Sequence, residues 1–137
     1  MVGILLVTHG KLGEELLETA KAIIGEELEN AKALSVEWNN HMTEISNKIA
    51  NALKELDKGD GVLLLTDMFG GTPSNVSFSF IGEKNIEVLT GVNLPMIIKI
   101  YNHRNNSSLE VLAKLVMEQG RKSITLGSEF LSAQKKS

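Results

Sequence analysis

Two short, unbroken apolar runs, Ile4-Leu5-Leu6-Val7 and Val62-Leu63-Leu64-Leu65, constrain this chain more than any other feature. Runs of this length with no polar residue at alternate positions suit strands covered on both faces, as in a parallel sheet between layers of helix. The segments between them have a different period. Leu12, Leu16, Leu17, Ala20, Ile23 and Ile24 recur at helical spacing before Gly25, a stop signal, so a first helix spans about residues 10–24. Residues 33–36 read as a second, less apolar strand. Thr43 then precedes Ile45, Ile49, Ala52, Leu53 and Leu56, a second helix that Gly59-Asp60-Gly61 breaks. The third strand is residues 62–66 and the fourth 87–90. Between them Pro73 suits the start of a short helix running from Ser74 to about Ile81, because proline lacks an amide that a helix start leaves unpaired. Two more helices follow, from residue 94 to about 101 and over 109–119 with Gly120 as the stop. A last short strand is expected at 123–126, and residues 134–137 read as frayed.

Strands alternating with helices predict an α/β fold, a single domain with a central, mainly parallel sheet flanked by helices, since parallel neighbours need crossover connections. The length of 137 residues suits one domain, and no linker, repeat or low-complexity segment interrupts it. With 42% apolar and 23% charged residues the composition is globular. A net charge of -3 provides no broad attraction to nucleic acid or to an anionic membrane. There is no cysteine, which excludes disulfides and thiolate metal sites. The apolar runs fall far short of the roughly 20 residues of a membrane-spanning helix. Met1-Val2-Gly3 leads into the first strand without a basic segment or a cleavage site, so a cytoplasmic location is expected.

Ligands of open parallel sheets meet the carboxyl ends of the strands. His9 follows strand one there, just before the first helix, where helix amides favour an anion. Position alone leaves His9 open between a phosphoryl-carrying nucleophile and a turn residue. Asp67 ends strand three. A carboxylate within reach of a histidine accepts one ring N–H, leaves the other nitrogen as the nucleophile and stabilises positive charge on the ring, with no metal required. Alone, Asp67 reads equally as a loop or helix cap. Gly70-Gly71-Thr72-Pro73-Ser74-Asn75 pairs two glycines with hydroxyls at a helix start, a loop able to approach an anion closely or simply a tight turn. It has neither the spacing nor the lysine of a Walker loop. Ser74 lacks a nucleophile elbow, and His41 and His103 are isolated in polar segments. Trp38, Met68 and Phe69 are open between core and docking surface, with Phe69, beside Asp67, the better interface candidate.

Taken together, Ile4-Leu5-Leu6-Val7-Thr8-His9-Gly10, Asp67-Met68-Phe69-Gly70-Gly71-Thr72-Pro73-Ser74-Asn75, Gly91-Val92-Asn93-Leu94-Pro95-Met96 and Gly120-Arg121 resemble the mannose-type (mannose/fructose/sorbose) enzyme IIA family of sugar phosphotransferase systems. The segments occur in that family's order and spacing, over about residues 1–127. The resemblance implies a phosphotransferase acting through a phosphohistidine, without a cofactor. His9 takes phosphate from the histidine carrier HPr and passes it to enzyme IIB for sugar uptake. Asp67 orients the His9 ring so that Nε2 is the nucleophile, and Gly10, Gly71 and Thr72 surround the phosphoryl group. The resemblance also implies a homodimer in which residues 123–126 cross to the partner's sheet, with 128–137 as a tail. Some relatives carry IIB in the same polypeptide. Here IIB is expected on a separate chain, with membrane contact only through the IIC and IID complex. The phosphocarrier subunit of a dihydroxyacetone kinase shares the fold and a histidine after strand one, but generally lacks the Asp-x-x-Gly-Gly-Thr/Ser-Pro motif. A regulatory protein that uses phospho-His9 as a signal would carry the same site. Sugar selectivity is expected in the membrane components.

Overall fold

The computed structural model describes residues 1–83 and 85–136. Its elements run β1 (Gly3–His9), α1 (Leu12–Ile24), β2 (Ala31–Val36), α2 (Met42–Leu56), β3 (Val62–Thr66), α3 (Thr72–Phe78), β4 (Ile86–Leu89), α4 (Leu94–His103), a 3-10 turn at Arg104–Asn106, α5 (Leu109–Lys122) and α6 (Gly127–Lys136). The four strands form one parallel sheet in the order β2-β1-β3-β4.

The unbroken apolar runs are explained by what covers each face. Ile4, Leu6, Leu63 and Leu65 face one core with Ala20, Met96, Ile97, Ile100, Leu112 and Val116, which come from α1, α4 and α5. Leu5, Val7, Val62 and Leu64 face a second core with Ile45, Ile49, Leu53 and Val76, from α2 and α3. Successive strand residues point to opposite faces, and both faces are dry, so alternation disappears from the sequence. Leu5, Leu6, Leu63, Leu64 and Leu65 are each 0% exposed, a burial worth roughly 1.5–3 kcal/mol per side chain. β2 lies at the sheet edge and is half-buried, which accounts for its weaker signal. Far from the strands' carboxyl ends, the buried Arg104 guanidinium donates to the carbonyls of Val2, at 3.4 Å, and Glu29. Burial lowers its pKa from the usual arginine value.

α1 ends, as expected, on a left-handed Gly25. Four other expectations change. Gly120 does not stop α5, which runs on to Lys122. A β-carbon at Gly120 would lie 2.7 Å from Met96 Sδ, so this glycine lets α5 press against the start of α4. Residues 123–126 form no strand among the described residues, and Ile124 and Leu126 stand 83% and 61% exposed. The Ser123 N–H donates to the Gln119 carbonyl and the Leu126 carbonyl accepts from the Phe130 N–H, so both ends of the segment belong to the flanking helices. Residues 134–136, expected to fray, continue α6; residue 137 lies outside the described residues. The short third helix also begins earlier, at Thr72, with Pro73 in its first turn.

Candidate functional site

From β1 the chain passes through α1 to β2 on one side and later returns to β3 on the other. The loops leaving β1 and β3 therefore diverge at their carboxyl ends, the place where such sheets bind ligands. His9 is the last residue of β1, and Asp67 directly follows β3.

Strand register, with Val7 beside Thr66, brings the two side chains together across 58 positions of sequence. His9 Nδ1 lies 2.8 Å from Asp67 Oδ2, and the His9 backbone N–H donates to the same oxygen at 3.0 Å. The other carboxylate oxygen accepts from the Met68 N–H at 3.1 Å. The His9 side chain is 29% exposed and that of Asp67 10%. A carboxylate can only accept, so the ring carries its proton on Nδ1 and keeps the Nε2 lone pair free. In its neutral form the ring therefore has one favoured tautomer, with Nε2 turned away from the carboxylate counter-charge behind it.

The glycine loop stands against that edge. A β-carbon on Gly71 would meet His9 Cε1 at 3.0 Å and Nε2 at 3.5 Å, so a side chain there would crowd the nucleophile. The loop is held by Ser74, whose hydroxyl is fully buried. Ser74 Oγ accepts from the Gly70 N–H at 3.0 Å and donates to the Gly71 carbonyl at 3.1 Å. Sequence reasoning weighed Ser74 as a nucleophile and as one of the hydroxyls of an anion-approaching loop, and missed this task. The available signal was a hydroxyl placed just after paired glycines at a helix start. Thr72 follows Gly71 as the first residue of α3 and is exposed. Gly10 turns the chain away from β1, with its N–H on the Val36 carbonyl at 3.1 Å.

One electrostatic expectation needs adjustment. The Gly13 amide, in the first turn of α1, donates to Thr8 Oγ1 at 2.8 Å rather than waiting for an anion. The backbone that borders the His9 ring is that of Gly71. His41 precedes α2 and His103 ends α4, each in its own polar surroundings. Among the described residues no group of three or more histidines and carboxylates is arranged to hold a metal ion, and no helix is long and apolar enough to cross a membrane.

Trp38, Met68 and Phe69 all lie outside the core, 94%, 54% and 75% exposed. The indole centroid of Trp38 is 5.8 Å from that of the His9 ring. Clefts of about 360 and 430 Å³ occur elsewhere on the surface, the larger lined by Phe69, Val88, Met96, Met117 and Ile124. Neither includes His9, which sits on an open face.

The Gly91–Met96 motif has a structural explanation. Asn93 caps α4 by accepting from the Met96 N–H at 3.1 Å, and its amide donates to the Gly120 carbonyl at 3.4 Å. It thereby ties α4 to the glycine that α5 uses for close approach.

Comparison with known proteins identifies the family. The chain is 33% identical over 125 residues to the mannose-specific EIIAB component of Escherichia coli K12, covering 90% of this chain but only 38% of that protein's length. It is 31% identical over 136 residues to the fructose-specific EIIA component of Bacillus subtilis, covering 98% of this chain and 92% of that one. The solved mannose/sorbose-specific IIA subunit of Enterococcus faecalis superposes with a TM-score of 0.81 at 29% identity, over 91% of this chain and 93% of the other. The family model described as the phosphotransferase system fructose IIA component matches residues 3–117, and the chain accordingly belongs to this mannose-type family of phosphotransferase system IIA components.

Proposed function

We propose that His9 is a transient phosphoryl carrier, loaded by phospho-HPr and discharged to enzyme IIB for sugar uptake and phosphorylation. The observation that carries this reading is the His9 Nδ1 to Asp67 Oδ2 contact of 2.8 Å, with Nε2 left free beside Gly71. The Nε2 lone pair attacks the phosphorus of the donor's phosphohistidine. The donor's P–N bond breaks, and its electron pair returns to the donor nitrogen. A donor ring that holds a proton on its other nitrogen then leaves as neutral imidazole. His9 becomes a phosphoimidazolium whose Nδ1–H remains on Asp67, so the new positive charge faces a carboxylate as it forms. Transfer to IIB reverses these steps on the acceptor's histidine, with no metal or cofactor. Gly10, Gly71 and Thr72 surround the phosphoryl oxygens in this reading.

The remaining roles follow from the family resemblance. The protein works in the cytoplasm with IIB, and reaches the membrane only through IIC and IID. Residues 1–127 form the IIA unit and 128–137 a tail. Two copies associate by exchanging residues 123–126 as a strand, which would bury Ile124 and Leu126.

The test is incubation with phosphoenolpyruvate, enzyme I and HPr. Acid-labile phosphate is expected on the wild type and absent from His9→Ala; an equally labelled variant would remove His9 from the mechanism. Adding IIB and the membrane components should then move the label to sugar. Label that stays on His9 would favour a regulatory signal over a relay.

A further inference from the structure

We propose that Trp38 is the anchor on which the phosphohistidine-bearing donor protein seats, and so determines specificity for that protein over small phosphoryl donors. The proposal rests on the relay reading above. At 94% exposure the indole contributes almost nothing to the core, and with Met68 and Phe69, 54% and 75% exposed, it is one of three large apolar side chains left in water just beyond the ends of β2 and β3. Tryptophan is also the side chain most enriched among residues that dominate protein interfaces.

Its position is held in advance. Trp38 lies in a turn that closes where the Asn40 N–H donates to the Glu37 carbonyl at 3.1 Å. Asn40 Oδ1 accepts from the Glu37 N–H at 2.8 Å, so one asparagine clamps the turn from both its backbone and its side chain. With the backbone of the turn already fixed in the free protein, binding has only the indole's own rotamer to order.

The topology decides what it can reach. β2 and β3 are the two neighbours of β1, so the loops that carry Trp38, just after β2, and Phe69, just after β3, leave the sheet on opposite sides of His9, with the Phe69 ring 6.0 Å from that of Phe78. The indole and imidazole centroids are 5.8 Å apart, with a 34° angle between the rings. Phosphoryl transfer requires donor nitrogen, phosphorus and His9 Nε2 to come into line. A protein donor that achieves this must lay the surface around its own histidine across these flanks. The occupant matched to them is an apolar collar around a phosphohistidine. A small donor such as phosphoramidate needs no such contact.

The test compares Trp38→Ala and Trp38→Phe with the wild type, using phospho-HPr and phosphoramidate as donors, after circular dichroism has verified that each variant is folded. For Trp38→Ala the KM for phospho-HPr is expected to rise about tenfold or more, while kcat and the phosphoramidate rate stay within about twofold. Trp38→Phe should fall between. Trp38 is the only tryptophan in the chain, so its emission should also shift to the blue when a tryptophan-free HPr is added. An unchanged KM in Trp38→Ala overturns the anchor. So does an equal loss with phosphoramidate, which would mean that Trp38 acts on His9 itself. A wild type that accepts no phosphate from phospho-HPr overturns the relay reading and the anchor with it, whereas a labelled wild type with an unaffected Trp38→Ala overturns the anchor alone.

Discussion

At the residue scale the site turns on one oxygen. Asp67 Oδ2 accepts from both the backbone N–H and the ring Nδ1 of His9, so it sets where the ring sits and which nitrogen is free. Asp67→Asn keeps the shape and an acceptor but removes the counter-charge and admits the wrong tautomer. It should slow single-turnover phosphorylation of His9 by about 100-fold or more while leaving the melting temperature nearly unchanged. Rapid quench and a thermal melt measure the two, and a wild-type rate would reduce Asp67 to a loop cap. His9, Asp67 and the glycine pair were legible in the sequence because strand ends and paired glycines have local signatures. The clamp by Ser74 was not, since a hydroxyl's partners depend on how the loop folds back. Trp38 was left open between core and surface because its exposure depends on how the β2–α2 turn is carried past the sheet.

At the element scale, strands buried on both faces announce themselves as unbroken apolar runs, and β3 has the bounds expected of it. β2, at the edge, begins two residues earlier than its apolar character indicated. Gly120 shows the limit of local rules. Within one helix it reads as a stop, yet its role lies in another helix, where Met96 Sδ and Cγ would stand 2.7 and 2.9 Å from any β-carbon. Gly120→Val should therefore overpack the α4–α5 contact and lower stability by about 1–3 kcal/mol, read as a shifted midpoint in urea unfolding. A variant as stable as the wild type would show that α5 can move aside.

For the whole molecule the open question is the second copy. Ile124, Leu126, Phe130 and Leu131 are 83%, 61%, 52% and 58% exposed, a run of apolar surface at the end of the chain. Such surface favours association. Removing residues 123–137 should convert a sedimenting dimer into a folded monomer, with ultracentrifugation giving the mass and circular dichroism the fold. A truncated chain that remains dimeric would place the interface elsewhere. By itself the sequence determined the alternation of strands and helices, the apolar faces and the placing of His9 and Asp67 at the carboxyl ends of two strands, because periodicity and turn chemistry act over a few residues. Only the tertiary structure decided that β1 and β3 are neighbours, that Asp67 therefore reaches Nδ1, that Gly71 borders Nε2 and that Trp38 stands beside the same ring. Those facts depend on strand order and register, which the cores on both faces of the sheet set together.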